Sequence, residues 1–424
     1  MKKLNPVERT QYIKNRYKEY LRSSFQFGNG EIQDLFWKEL DEADLFRGPY
    51  VALNLPFKRG KSLKELANEG VICQSFLHLS DIDFSRPLYV HQEEAIRKIG
   101  AGRSAIVTTG TGSGKTECFL YPILNELLKD IENGNHEEGI RAIFLYPMNA
   151  LVNDQIERVR KILINCPDIT FAFFTGDTKE SVAQDFRKQH QMETGEVIPQ
   201  NELVSREEIR RNPPHLLFTN YSMLEFMLIR PNDYVLFSPR MLKNWKFVVL
   251  DEAHTYSGSL GIEISMLLRR LTGFAPKKPR FILTSATLGE KGKSENEIVD
   301  FAVNLTSASF QVDDIIFSKR IEMDAARIKY NVSSPDYLSL KANLDNLNAV
   351  AKICNNYHVA DCKDISEYLY ELLSSDGTVY SLYEMLKDGS KEFDQIQKEI
   401  STKIKISKEE LISLIDLINK AEKN

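Results

Sequence analysis

The eight residues from Thr109 to Thr116, Thr-Gly-Thr-Gly-Ser-Gly-Lys-Thr, follow the short apolar run 104–107 and precede an amphipathic stretch from Phe119 to Leu128. That arrangement requires a strand that ends in a glycine turn and opens directly into a helix. Gly110, Gly112 and Gly114 let the backbone wrap closely around anionic oxygens, and the helix N-terminus adds its partial positive charge. Together with Thr111 and Ser113 they form a phosphate cradle in which Lys115 neutralises β and γ phosphates and the Thr116 hydroxyl holds Mg²⁺. Thr109 stands where the strict pattern has glycine.

About 135 residues further on, Phe247-Val-Val-Leu runs into Asp251-Glu252-Ala253-His254. Four apolar residues ending in acids describe a buried parallel strand that delivers carboxylates at its carboxyl end. In company with the cradle, Asp251 would be a second Mg²⁺ ligand, directly or through water. Glu252 would polarise an attacking water, and His254 would sense the γ-phosphate.

Composition sets the outer bounds. The chain has 424 residues, enough for two or three domains, with 42% hydrophobic and 27% charged residues. No apolar run approaches the roughly 20 residues that span a bilayer, and no apolar signal core follows Met1, so a cytoplasmic protein without membrane contact is expected. Five cysteines without a C-x-x-C pair argue against a disulfide framework. A net charge of −5 excludes a globally basic nucleic-acid binder, so any such contact must be local.

Further apolar runs at 141–147, 169–176, 215–220, 247–253 and 280–287 alternate with helical patterns, which predicts the α/β class with a parallel sheet covered on both faces. Residues 1–84 read as an N-terminal accessory region, 85–318 as the nucleotide-binding domain and 319–424 as a helical segment, with patterns at 337–354, 365–373 and 409–418. The polar interval 179–202 reads as an insertion.

The ordered set of segments resembles the first motor domain of superfamily-two DEAD/DEAH-box helicases over residues 85–290. In Leu88-Tyr89-Val90-His91-Gln92, the resemblance makes Gln92 the reader of adenine, whose edge matches a carboxamide, so ATP is expected over GTP. Tyr146-Pro147-Met148-Asn149-Ala150-Leu151-Val152 with Gln155, Thr175-Gly176-Asp177-Thr178 and Phe218-Thr219-Asn220 are similar to segments that grip a nucleic-acid backbone. They imply Pro147, Asn149, Ala150, Gln155, Thr175, Gly176, Thr219 and Asn220 as sequence-independent contacts. Ser285-Ala286-Thr287 resembles the segment that couples γ-phosphate to that cleft. The P-loop, the 146–151 and 220–225 segments and Asp251-Glu-Ala-His-Thr-Tyr256 look most like bacterial helicases of the mitomycin-repair branch, some found in phage defence. The resemblance therefore implies a RecA-like fold, ATP with Mg²⁺, and DNA in preference to RNA.

Residues 291–424 contain neither a threonine-rich strand end nor a Gln-x-x-Gly-Arg-x-x-Arg segment, the marks of a second motor domain. Helicases take catalytic arginines from that domain, so slow hydrolysis is expected of this chain alone. The second RecA-like domain would belong to a longer chain or a separate subunit. An RNA helicase fragment, or an ATP-regulated interaction subunit of a defence complex, is the alternative reading.

Overall fold

The computed structural model describes residues 6–421 apart from 44, 111, 182, 196, 288–293 and 388. Its contacts form two compact units, residues 57–320 and residues 1–56 with 321–424.

The first unit is built on eight strands: β1 Ala105–Thr108, β2 Ala142–Tyr146, β3 Phe171–Phe174, β4 Glu202–Leu203, β5 Leu216–Asn220, β6 Phe247–Leu250, β7 Arg280–Ser285 and β8 Ile315–Phe317. They pair in the order β8-β1-β7-β6-β2-β5-β3-β4, every pair parallel. Side chains alternate between the two faces, which is why these strands read as unbroken apolar runs. Ala105, Val107, Ala142, Phe144, Phe247 and Val249 enter one core, with helices Val90–Gly100 and Lys115–Glu132. Ile106, Ile143, Leu145, Val248 and Leu250 enter the other, with helices Tyr221–Ile229, Gly258–Gly273 and Glu295–Thr306. This is the RecA-like α/β sandwich.

One boundary differs from the sequence reading. Residues 57–84 pack with the sheet rather than with an accessory region. Strand Arg59–Ser62 pairs antiparallel with Pro87–Tyr89, and Leu63, Leu66 and Phe76 are buried in the same core as Val107 and Phe144. The interval 179–202 contains the helix Ala183–Thr194, and Arg187 beyond Ala183 donates to the Pro199 carbonyl at 2.9 Å.

In the second unit, the regular elements of the described part of 321–424 are helices joined by loops, apart from Lys391–Glu392, which pairs antiparallel with Tyr50–Val51. The expected helix over 337–354 is two helices, Ser334–Ala342 and Leu347–Asn355. Asn346 breaks it by accepting from the Ala349 amide at 3.2 Å and capping the second helix. Among the described residues no helix is long and apolar enough to cross a membrane.

Candidate functional site

A parallel sheet brings all its strand ends to one edge, and the chain places its polar segments there. Along that edge the P-loop leaves β1, Ser285 ends β7 and Asp251-Glu252 follow β6. Pro147 follows β2, Asn220 ends β5 and Thr175 follows β3. The strand order therefore separates a phosphate-type group, on β1, β7 and β6, from a second group on β2, β5 and β3. The acids lie at the boundary.

Gly112 and Gly114 have φ of +72° and +73°, the left-handed region that glycine adopts at no steric cost. A side chain at Gly114 would also collide with Gln92, whose Nε2 would lie 2.3 Å from its Cβ. Thr109 explains its own departure from the glycine pattern. Its buried hydroxyl is 2.7 Å from the Ser113 hydroxyl, closing the loop on itself. Gly110 is half-buried and Thr116 is the second residue of helix Lys115–Glu132. Thr111 lies outside the described residues.

Lys115 Nζ lies 2.6 Å from Glu252 Oε1, joining the two halves of the site. Glu252 Oε2 is buried without a hydrogen bond among the described residues, with His254 Nδ1 at 3.4 Å. The Thr284 hydroxyl donates to Asp251 Oδ1 and accepts from the Glu252 amide at 3.2 Å. Ser285 Oγ is 3.1 Å from His254 Nδ1 and accepts from the Thr287 amide at 3.1 Å. Ala286 between them is half-buried. Burial raises the Asp251 carboxyl above its ordinary range, against the lowering effect of Thr284. A desolvated carboxylate beside an unpartnered carboxylate oxygen is a place that favours a cation, and with Thr116 these groups could hold Mg²⁺.

Gln92 is committed differently from the expectation. Its Oε1 accepts from the Tyr89 amide at 2.9 Å and its Nε2 donates to the Gly114 carbonyl at 3.2 Å. The carboxamide thus braces the P-loop while lining a cavity of about 400 Å³ with Asp83, Arg86, Tyr89, Glu117 and Arg158.

The second group is mixed. Thr219 does not present its hydroxyl at the edge: it is fully buried and donates to the Phe174 carbonyl at 2.7 Å, tying β5 to β3. Asn220 caps helix Tyr221–Ile229 by accepting from the Met223 amide at 2.7 Å. Thr175 is buried and accepts from the Asp177 amide at 3.3 Å, whereas Gly176 is exposed. Pro147 is half-buried, and Gln155 Oε1 is buried without a hydrogen-bond partner among the described residues. The side chains of Asn149 and Ala150 lie outside the described residues.

Residues 89–294, the span that contains every one of these strand ends, match the family described as DEAD/DEAH box helicase. The chain carries a DEAD/DEAH box helicase domain. It is 30% identical over 359 residues to the Druantia protein DruE of Escherichia coli (strain UMEA 4076-1), covering 62% of this chain and 19% of that protein. It is also 30% identical over 261 residues to the ATP-dependent helicase hrq1 of Schizosaccharomyces pombe, covering 60% and 20%. The chain thus spans about a fifth of the length of these relatives. Among solved structures, the DUF1998 helicase MrfA bound to DNA aligns over 78% of this chain and 43% of that chain, at 20% identity and a TM-score of 0.47.

Three residues of this helicase domain were not singled out by sequence. Thr284 bridges both acids of the box; its only signal was a hydroxyl one position before Ser285. His91 Nε2 lies 2.8 Å from the Ser113 carbonyl, and burial lowers its pKa, which favours the neutral ring at the base of the loop. Arg158 pairs with Glu117 at the cavity wall.

Proposed function

We propose that this chain is the ATP-binding half of an ATP-dependent DNA helicase or translocase acting in the cytoplasm, in DNA repair or phage defence. The observation that carries the reading is the continuous contact from Lys115 through Glu252 to His254 and Ser285, spanning the P-loop, the acidic box and the end of β7. In the proposed cycle Lys115 exchanges Glu252 for phosphate oxygens of ATP. That exchange releases a carboxylate to orient water and accept its proton. Thr116 and Asp251 would hold Mg²⁺, whose charge would offset that of the phosphate oxygens. Thr284 keeps the Asp251 carboxylate and the Glu252 backbone in fixed relation, while the Ser285–His254 contact ties the state of Glu252 to β7. The adjoining group at Pro147, Gln155, Gly176 and Asn220 would grip a nucleic-acid backbone through amides and polar side chains.

DNA is favoured by the likeness of the 146–151, 220–225 and 251–256 segments to the mitomycin-repair branch. Full turnover would require arginines from a second RecA-like domain, in a longer chain or a separate subunit. The test is ATP turnover with single-stranded DNA or RNA across a salt series. Stimulation by DNA that fades as salt rises is expected, with Glu252→Gln binding ATP but not turning it over. Stimulation by RNA alone would overturn the DNA assignment.

A further inference from the structure

We propose that Arg320 is a phosphate-binding residue of the nucleotide site, a second cation that reaches the terminal phosphate of the bound triphosphate from within the same chain. This rests on the assignment of the P-loop as an ATP site.

Arg320 lies just past β8, the strand that flanks β1 on the side away from β7. A methyl group at Gly110 would stand 3.8 Å from Arg320 Nη2, so the guanidinium lies against the P-loop itself. Its position is fixed rather than incidental. Arg320 forms an antiparallel bridge with Phe57, and the neighbouring Lys58 amide donates to the Lys319 carbonyl at 2.7 Å. The guanidinium carbon sits 4.5 Å from the centroid of the Phe57 ring, a cation–π stack. Phe57 also packs on Tyr89 and His91, with centroids 5.1 and 5.4 Å apart, and His91 in turn contacts the Ser113 carbonyl. One aromatic ring thus supports the P-loop at two points, Ser113 through His91 and Gly110 through Arg320.

The position along the loop selects the phosphate. The cavity beside Gln92 meets the loop at Gly112 and Gly114, which is the end for the base. The Thr109 amide donates to the Ser285 carbonyl at 3.0 Å, so the start of the loop adjoins the Ser285, His254 and Glu252 cluster where the terminal phosphate must lie for Glu252 to act on water. Gly110 follows Thr109 directly. A guanidinium there offers forked donors to a phosphate oxygen cluster, which a lysine matches only as a point charge.

The experiment is calorimetric titration of the full chain with ADP and with a β,γ-imido ATP analogue, for wild type, Arg320→Gln, Arg320→Lys and Lys115→Ala. Arg320→Gln should weaken the triphosphate analogue about ten-fold while leaving ADP within two-fold, and Arg320→Lys should fall between. Melting curves without nucleotide report whether the Phe57 stack is needed for folding. If Arg320→Gln fails to fold, the intermediate ratio of Arg320→Lys remains the deciding value. An analogue-to-ADP ratio equal to wild type in the folded variants overturns the role of Arg320, provided Lys115→Ala abolishes binding of both. Unchanged binding in Lys115→Ala would instead overturn the ATP site.

Discussion

At the scale of single residues, the role proposed for Asp251 is set against stability. Burial raises its folded-state pKa above 3.8, so the fold favours the protonated acid. The sign follows: its contribution to stability is present below about pH 4 and is lost as pH rises through the raised value, leaving a destabilising charge at neutral pH. Asp251→Asn keeps an acceptor for Thr284 and removes that charge. It should stabilise by about 1 kcal/mol, a rise in melting temperature on the order of 2–4 °C, while abolishing Mg²⁺-dependent turnover. A lower melting temperature would contradict this. Glu252 carries a second tension, a φ of +46° in a region that residues with a side chain rarely adopt. Lys115, Asp251 and Glu252 were legible in the sequence because their chemistry fixes their spacing within short segments. Thr284, His91 and Arg320 were not. Their partners lie 22 to more than 200 residues away in sequence, and only strand register brings them together.

Among elements, the strands legible in sequence are those buried on both faces. β2, β3 and β5 are held by a stack in which the Phe218 ring lies 4.2 Å from Phe144 and 4.5 Å from Phe173. Phe218→Ala should cost about 3–5 kcal/mol, read from the denaturant midpoint, because the stack cannot close over the void. β8 escaped notice for a physical reason: it has three residues, preceded by Asp313 and Asp314. Those acids anchor the strand, since Arg103 before β1 pairs with both and donates through Nε to Asp314 at 2.8 Å. The edge of the sheet opposite the site has its own titrating group. His215 Nδ1 accepts from the Thr170 amide at 3.1 Å, and burial, followed by the charge of Arg141, lowers its pKa to about 4. A lowered histidine contributes stability that is present above its unfolded value near 6.5 and is lost as pH falls toward 4, up to roughly 3 kcal/mol. His215→Asn should flatten the melting profile across that window and leave ATP binding unchanged; a profile as steep as wild type would contradict the assignment.

For the whole molecule, the helicase domain and its helical companion differ in how much the sequence disclosed. The sheet edge was legible because six of the strands end in polar motifs. The boundary at residue 57 was not, since 57–84 has little periodicity and joins the core through scattered residues such as Leu66 and Phe76. Supplying a second motor domain should raise turnover by about 10³ to 10⁵, the usual worth of catalytic arginines. The most direct measurement of the central claim, that Thr109–Thr116 and Asp251–His254 form one ATP site, is a titration of the chain with ATP and Mg²⁺ beside Lys115→Ala. The expected result is saturable binding by wild type and at least a hundred-fold loss in the variant, for want of a charge-assisted contact to phosphate. Equal affinity in the two would contradict it.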